Sequence, residues 1–471
     1  MSCEDKPKMR LVFYGDDFTG SSDSLEVLAA AGLKCALFLT PPSRTLLRSL
    51  GDFDAIGIAG DSRSMSPSDM DAELKNVFES IKELSPDIIH YKVCSTFDSS
   101  PEVGSIGHVM GIASAVFAQR SIPVVAGNPA LKRYCVFGNL YAYSRTDNAV
   151  HRIDRHPVMS IHPITPMLES DLTRHIQQQR DMTFATIDVS QLDSEADLLE
   201  LTNTLSSDHE AVLIDGLTTK HLTQAGEIID RMSRASSSLF VVGSSGVEYG
   251  LTQYWRSTGT SFLNAEVSPV LKLAKQVLVV SGSASPLSKI QIERAIQAGY
   301  VEFAVDATAL LADVEGEYNE GLVIDAIVRA LKNGSSVIIH TAKGSDDPRI
   351  KDMVNFMVNK GKTTEEAKIQ GGKLIALKMG SVVKNILKQY RPDRLVISGG
   401  DTSSQITKIL EPDALKIESL FSPGAPLCRA LSSEAFLSEL EIALKGGQMG
   451  DQDYFVKAMK GDLSTTGEIA N

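Results

Sequence analysis

The chain has 471 residues, about three times the ~150-residue expectation for one domain, so two or three cores are expected and a small disulfide-stapled module is excluded. Hydrophobic residues make up 43% and charged residues 22%, a globular rather than disordered composition. The net charge of −13 repels nucleic acid phosphates and acidic lipid, and no basic patch with interleaved aromatics overrides it. Five cysteines, with no C-x-x-C spacing, argue against a disulfide framework and a structural zinc site and fit a reducing cytoplasm. Neither a signal-peptide apolar stretch nor an 18-residue apolar run is found, so a soluble protein without membrane partners is expected.

In chain order, short apolar runs at Leu11–Tyr14, Ala36–Leu39, Ala55–Ala59 and Ile88–Tyr91 predict strands, with helices over Ser22–Ala31 and Asp71–Leu84 between them. Further strands are predicted at Val124–Ala126, Ala185–Val189, Ala211–Ile214 and Leu239–Val242. Runs this apolar, alternating with helices, predict a parallel sheet covered on both faces. The Pro- and His-rich segment Arg145–Asp171 is expected to be a structured loop or crossover, and the spacing of His151, His156 and His162 fits no ligand pair on a helix.

The helical pattern lapses between Trp255 and Val270, ending in Ser268-Pro269, which places a domain boundary there. A second cycle follows, with strands at Val277–Val280, Ser336–His340 and Leu395–Ser398 and helices at Pro286–Ala298 and Thr364–Gln389. The expected architecture is α/β in two domains, residues 1–260 and 261–471, each a mostly parallel sheet flanked by helices, with the active site in the cleft between them.

Polar residues gather where strands end, the edge on which such sheets bind ligands. The first strand runs into Gly15-Asp16-Asp17-Phe18-Thr19-Gly20; capping a helix would use one of the acids and leave the other to meet hydroxyls of a polyol or sugar. Arg63 and Lys92, at the next strand ends, set two cations opposite this pair, so a carboxylate and hydroxyls can both be bound. Cys94, Ser95 and Thr96 follow Lys92; no histidine is placed to activate Cys94 as a nucleophile.

In the second half, Ser281-Gly282-Ser283-Ala284-Ser285-Pro286 joins a strand to a helix with small residues suited to an anion. Gly399-Gly400-Asp401-Thr402 is the sharpest of these loops: its glycines let the backbone approach a phosphate, and Asp401 could hold Mg²⁺ or accept a proton from an attacking hydroxyl. Gly446-Gly447 forms a third cluster. A P-loop is absent, because Phe356 stands where Gly361-Lys362-Thr363 would need a glycine, and no G-x-G-x-x-G follows either first strand.

Taken together, Gly15–Gly20, Lys92-Val93-Cys94-Ser95-Thr96-Phe97-Asp98-Ser99, Arg152–Pro157 with His162-Pro163-Ile164-Thr165-Pro166-Met167, and Ser398–Ser403 resemble the four-carbon acid sugar kinase family over nearly the whole chain. The resemblance implies an ATP- and Mg²⁺-dependent kinase of a short sugar acid such as threonate, erythronate or 3-oxo-tetronate, phosphorylated on a terminal hydroxyl. A branched, apionate-type acid is the alternative. It implies Asp16, Asp17, Arg63, Lys92, Cys94, Ser95 and Thr96 on the substrate side, and Ser281, Ser283, Gly399, Gly400, Asp401, Thr402, Gly446 and Gly447 on the nucleotide side. Asp401 is the first candidate for general base and Asp17 the second. A nicotinamide-dependent hydroxy-acid dehydrogenase lacks its glycine fingerprint, and a hinge-closing sugar-acid-binding protein would leave the second anion-binding domain without a purpose. A homodimer is the base-rate oligomer.

Overall fold

A computed structural model describes residues 9–144, 146–195, 197–260, 263, 271–312 and 320–461. The chain divides into two compact units, Met1–Glu266 and Val267–Asn471. Ser268-Pro269, where the break was expected, and Arg145 lie outside the described residues.

The first unit contains the strands β1 Leu11–Gly15, β2 Cys35–Phe38, β3 Ala55–Ala59, β4 Ile88–Lys92, β5 Ile122–Val125, β6 Arg133–Val136, β7 Asn139–Ser144, β8 Ala149–Arg152, β9 Phe184–Ile187, β10 Ala211–Ile214 and β11 Leu239–Gly243. Those of the main sheet run in the order β2-β3-β1-β4-β11-β5-β10-β9, and all its pairs are parallel. Every residue of β1, β3 and β4 is buried, which is why these strands read as continuous apolar runs instead of alternating ones. From β1 the chain turns to β2 and β3 on one side, then crosses to β4 on the other. The carboxyl ends of β1 and β4 therefore form a topological switch point, where α/β sheets open a crevice.

Strands β6, β7 and β8 form a separate antiparallel sheet. Residues 149–152 of the segment expected to be a loop are thus a strand; they sit in a small, half-exposed sheet with no apolar run to signal it. The three histidines there take hydrogen-bonding roles: His151 Nε2 lies 2.7 Å from Asp147, His156 Nδ1 accepts from the amides of Val158 and Met159, and His162 Nδ1 accepts from that of Thr165.

The second unit contains β12 Val277–Ser281, β13 Val301–Ala304, β14 Val337–His340, β15 Arg394–Ser398, β16 Ala414–Ser419, β17 Leu427–Leu431 and β18 Glu441–Lys445. Their order is β13-β14-β12-β15-β18-β17-β16. The run from β13 to β18 is parallel, and β17 pairs antiparallel with both β18 and β16. Here the switch point lies between β12 and β15. One face of the sheet carries Val277, Val279, Ile338, Val396 and Ala443 into a core closed by Tyr454 and Phe455. The Gly361-Lys362-Thr363 sequence supplies a helix start: the Thr363 hydroxyl and the Glu366 carboxylate form a capping box for Thr364–Gln389.

Candidate active site

In the first unit, the switch point gathers charge. Asp16 follows β1 directly, and its amide donates to the carbonyl of Lys92 at the end of β4 (2.9 Å). Asp17 caps the helix Phe18–Ala30, its Oδ1 accepting from the amide of Gly20. Arg63, in the turn Ser62–Ser64 after β3, grips Asp16 in a fork, Nε to Oδ2 at 3.1 Å and Nη2 to Oδ1 at 2.8 Å, and pairs through Nη1 with Asp17 Oδ2. Asp16 is 5% exposed, whereas the Asp17 and Arg63 side chains are each 27% exposed. The two acids are therefore divided: one is a buried anchor for Arg63 and the other sits at the rim.

Lys92 is also buried, with its Nζ against Gly20: a Cβ on Gly20 would come within 2.0 Å of it. Burial disfavours its charge, but Asp17, Asp16 and Asp23 outweigh burial and raise its pKa above the ordinary lysine value. Burial pushes Asp23 up; its carboxylate hydrogen-bonds Ser245, in the loop after β11. In the loop after β4, the hydroxyl of Thr96 donates to Asp98 and lies 2.9 Å from Cys94 Sγ. Burial pushes the Cys94 thiol up to about 11, so it is protonated near neutral pH and is no nucleophile. Ser95 sits half-buried between them. The substrate-side residues expected from sequence are thus clustered. Asp23 and Asp98 join them unforeseen, the first because it stands in the second turn of a helix, where an acid reads as a solvated face.

In the second unit, three loops converge at the carboxyl ends of β12, β15 and β18. Gly282 donates to the carbonyl of Ser398 (3.0 Å), and Gly399 to that of Lys445 (2.9 Å). Gly399 has φ +119°, which only glycine adopts without strain, and a Cβ on Gly282 would come to 2.1 Å from Thr402 Oγ1. A Cβ on Gly447 would strike Ser283 Oγ, and the Gly447 carbonyl accepts from the hydroxyls of Ser285 (2.6 Å) and Ser288 (3.1 Å). Small residues here hold strand ends and helix starts together around backbone N–H groups. Asp401 stands exposed in the first turn of the helix Gly400–Leu410, and Gly446 begins the loop after β18.

Beside these loops lies a cavity of about 150 Å³, lined by Gly282, Ala342, Met353, Gly372, Ala376 and Met379, among others. It is largely apolar, and Thr402 and Ser281 border it on the side of the loops. A largely apolar slot beside backbone N–H groups has the character of a site for a flat ring. No motif announces it, because its wall is the buried side of helix Thr364–Gln389, where apolar residues read only as core. Among the described residues no cluster of three or more His, Cys, Asp or Glu could hold a metal ion, and no helix is long and apolar enough to cross a membrane.

Comparison with known proteins matches both halves. Residues 11–251 fit the model of a sugar-binding N-terminal domain, and residues 278–455 that of a nucleotide-binding C-terminal domain. A 3-oxo-isoapionate kinase of Paraburkholderia graminis is 38% identical over 96% of this chain and 95% of its own. A 3-oxo-tetronate kinase of Pseudomonas fluorescens is 25% identical over 96% and 97%. A solved Haemophilus influenzae protein shares the fold with a TM-score of 0.72 at 20% identity, covering 95% of this chain and 98% of its own. With its sugar-binding half ending in mixed charge and its nucleotide-binding half in glycine loops, the chain belongs to the four-carbon acid sugar kinase family and is a sugar acid kinase.

Proposed function

We propose that the protein transfers the γ-phosphoryl group of ATP to a terminal hydroxyl of a branched 3-oxo acid of the isoapionate type. The observation that carries this choice is identity: 38% to the 3-oxo-isoapionate kinase against 25% to the 3-oxo-tetronate kinase, both over nearly the full chain. Sequence reading placed the linear four-carbon acids first and the branched acid second, and the comparison reverses that order.

The residues fit the assignment. Asp16 holds Arg63 from the buried side, and Asp17, at the exposed rim, gives up Nη1 when the substrate carboxylate arrives. Lys92 adds the second positive charge, and Asp17, Ser95 and Thr96 offer polar groups for the hydroxyls and the keto oxygen. On the nucleotide side, Ser281, Ser283, Gly399, Gly400, Thr402, Gly446 and Gly447 surround the phosphates and the apolar cavity takes the base. Mg²⁺ entering with the nucleotide would supply charge neutralisation in the transition state, and Asp401 would be the carboxylate at hand if the metal took a protein ligand in place of a free base. Asp401 accepts the proton of the attacking hydroxyl, which adds about 10²- to 10⁴-fold to the rate.

The test is ADP release with ATP and Mg²⁺ against a panel of 3-oxo-isoapionate, D- and L-3-oxo-tetronates, threonates and erythronates. A kcat/KM at least tenfold higher for the branched acid is expected. A higher value for any linear acid overturns the branched assignment, and no release with any acid overturns the substrate class.

A further inference from the structure

Lys445 ends β18 with its side chain 1% exposed and turned into the protein beneath the three glycine loops. Among the described residues its Nζ has one hydrogen-bond partner, Ser398 Oγ at 3.0 Å, and otherwise faces the rings of Phe455 and Tyr454 at 5.6 and 5.8 Å. Among the described residues no carboxylate pairs with it. The acids on neighbouring elements are engaged elsewhere or exposed: Asp451 with Lys457, Asp453 with Arg294, Glu441 with Arg394, and Asp401 at the surface.

A buried ammonium without a counter-ion is costly, so a lysine kept there for packing alone would be better replaced by an apolar residue. Its position supplies a reason. Strand register sets Ser281, Ser398 and Lys445 side by side at the carboxyl ends of β12, β15 and β18, and the Ser281 hydroxyl is itself buried without a partner. The carbonyl of Lys445 holds the Gly399 turn through its amide.

We propose that Lys445 is a positioning residue for the nucleotide phosphates: from beneath the loops its ammonium, oriented by Ser398, balances the negative charge that the bound phosphates bring. This rests on the nucleotide reading above. The anion that meets Lys445 is then the ligand's, and binding completes the ion pair. Burial alone brings this amine down to about 7, and no neighbouring charge offsets that shift. Phosphate binding restores the charged form.

The experiment compares ADP with adenosine, which shares the base but lacks phosphates, by calorimetry on the full-length protein and on Lys445→Met, which keeps the unbranched apolar stem. The variant should bind ADP more than tenfold more weakly and adenosine within about twofold of wild type. Lys445→Arg should recover part of the loss. In the wild type, ADP affinity should fall at least about tenfold from pH 7 to pH 9 as the binding-competent ammonium becomes scarce, while adenosine affinity stays level. Equal ADP binding by Lys445→Met, or parallel loss of ADP and adenosine, overturns the proposal. If the variant does not fold, the wild-type pH series decides alone, and a flat ADP profile overturns it. A wild type that binds neither ligand overturns the nucleotide reading instead.

Discussion

Asp17 and Asp401 both stand at helix starts, and the bonds they already make distinguish them as proton acceptors. Asp17 spends one carboxylate oxygen on the Gly20 amide and the other on Arg63. Asp401 is exposed, with no ion pair among the described residues. The Asp401→Asn variant should therefore lower kcat by about 10²- to 10⁴-fold with the KM for the sugar acid within about threefold of wild type. Steady-state kinetics with ADP detection measures both, and near-full turnover would move the base to Asp17. The acids and Lys92 were legible because they end or closely follow a strand, where the chain has few ways to point, and Arg63 because it stands in the short turn after β3. Asp23 was not, since it reaches Lys92 and Ser245 only through the helical turn that follows Asp17 and through the neighbouring placement of β4 and β11, which lie far apart in sequence.

At the level of elements, the buried parallel strands were legible because both faces are covered and the runs stay apolar from end to end, as in β12 and β15. Several of the strands that escaped break that rule. β13 is mostly exposed at the sheet edge, and the hairpin-like β16 and β17 interrupt their buried positions with half-buried or exposed ones. Helix Thr364–Gln389 was placed from its period, yet its role as a cavity wall was hidden, and Gly372 is the position that exposes it. A Cβ there meets no atom within 4 Å, although the residue lines the cavity. Gly372→Leu should consequently have opposite effects on two readouts. Replacing a mid-helix glycine stabilises the unliganded protein by about 1 kcal/mol, while the side chain enters the cavity and raises the KM for ATP at least tenfold. Thermal unfolding and ATP saturation curves check the two halves. An unchanged KM would place the base elsewhere.

Across the whole molecule, the two α/β units carry different chemistry at their strand ends, a carboxylate–guanidinium cluster in one and glycine-rich turns in the other. The difference follows from the ligands: a small acid with several hydroxyls needs directional charged partners, whereas phosphates are met by amides whose geometry the backbone fixes. Binding should thus be separable by unit. With amide hydrogen exchange on the intact protein, a non-hydrolysable ATP analogue at about a hundred times its Kd should slow opening of the binding segments by up to about a hundredfold. Protection is expected over 281–289, 341–353, 398–404 and 445–449. The sugar acid at the same excess should protect 15–23, 60–64 and 92–98 instead. Protection by the sugar acid confined to the glycine loops would contradict the division of labour, because the paired acids with Arg63 and Lys92, which would together meet a carboxylate and several hydroxyls, lie in the first unit.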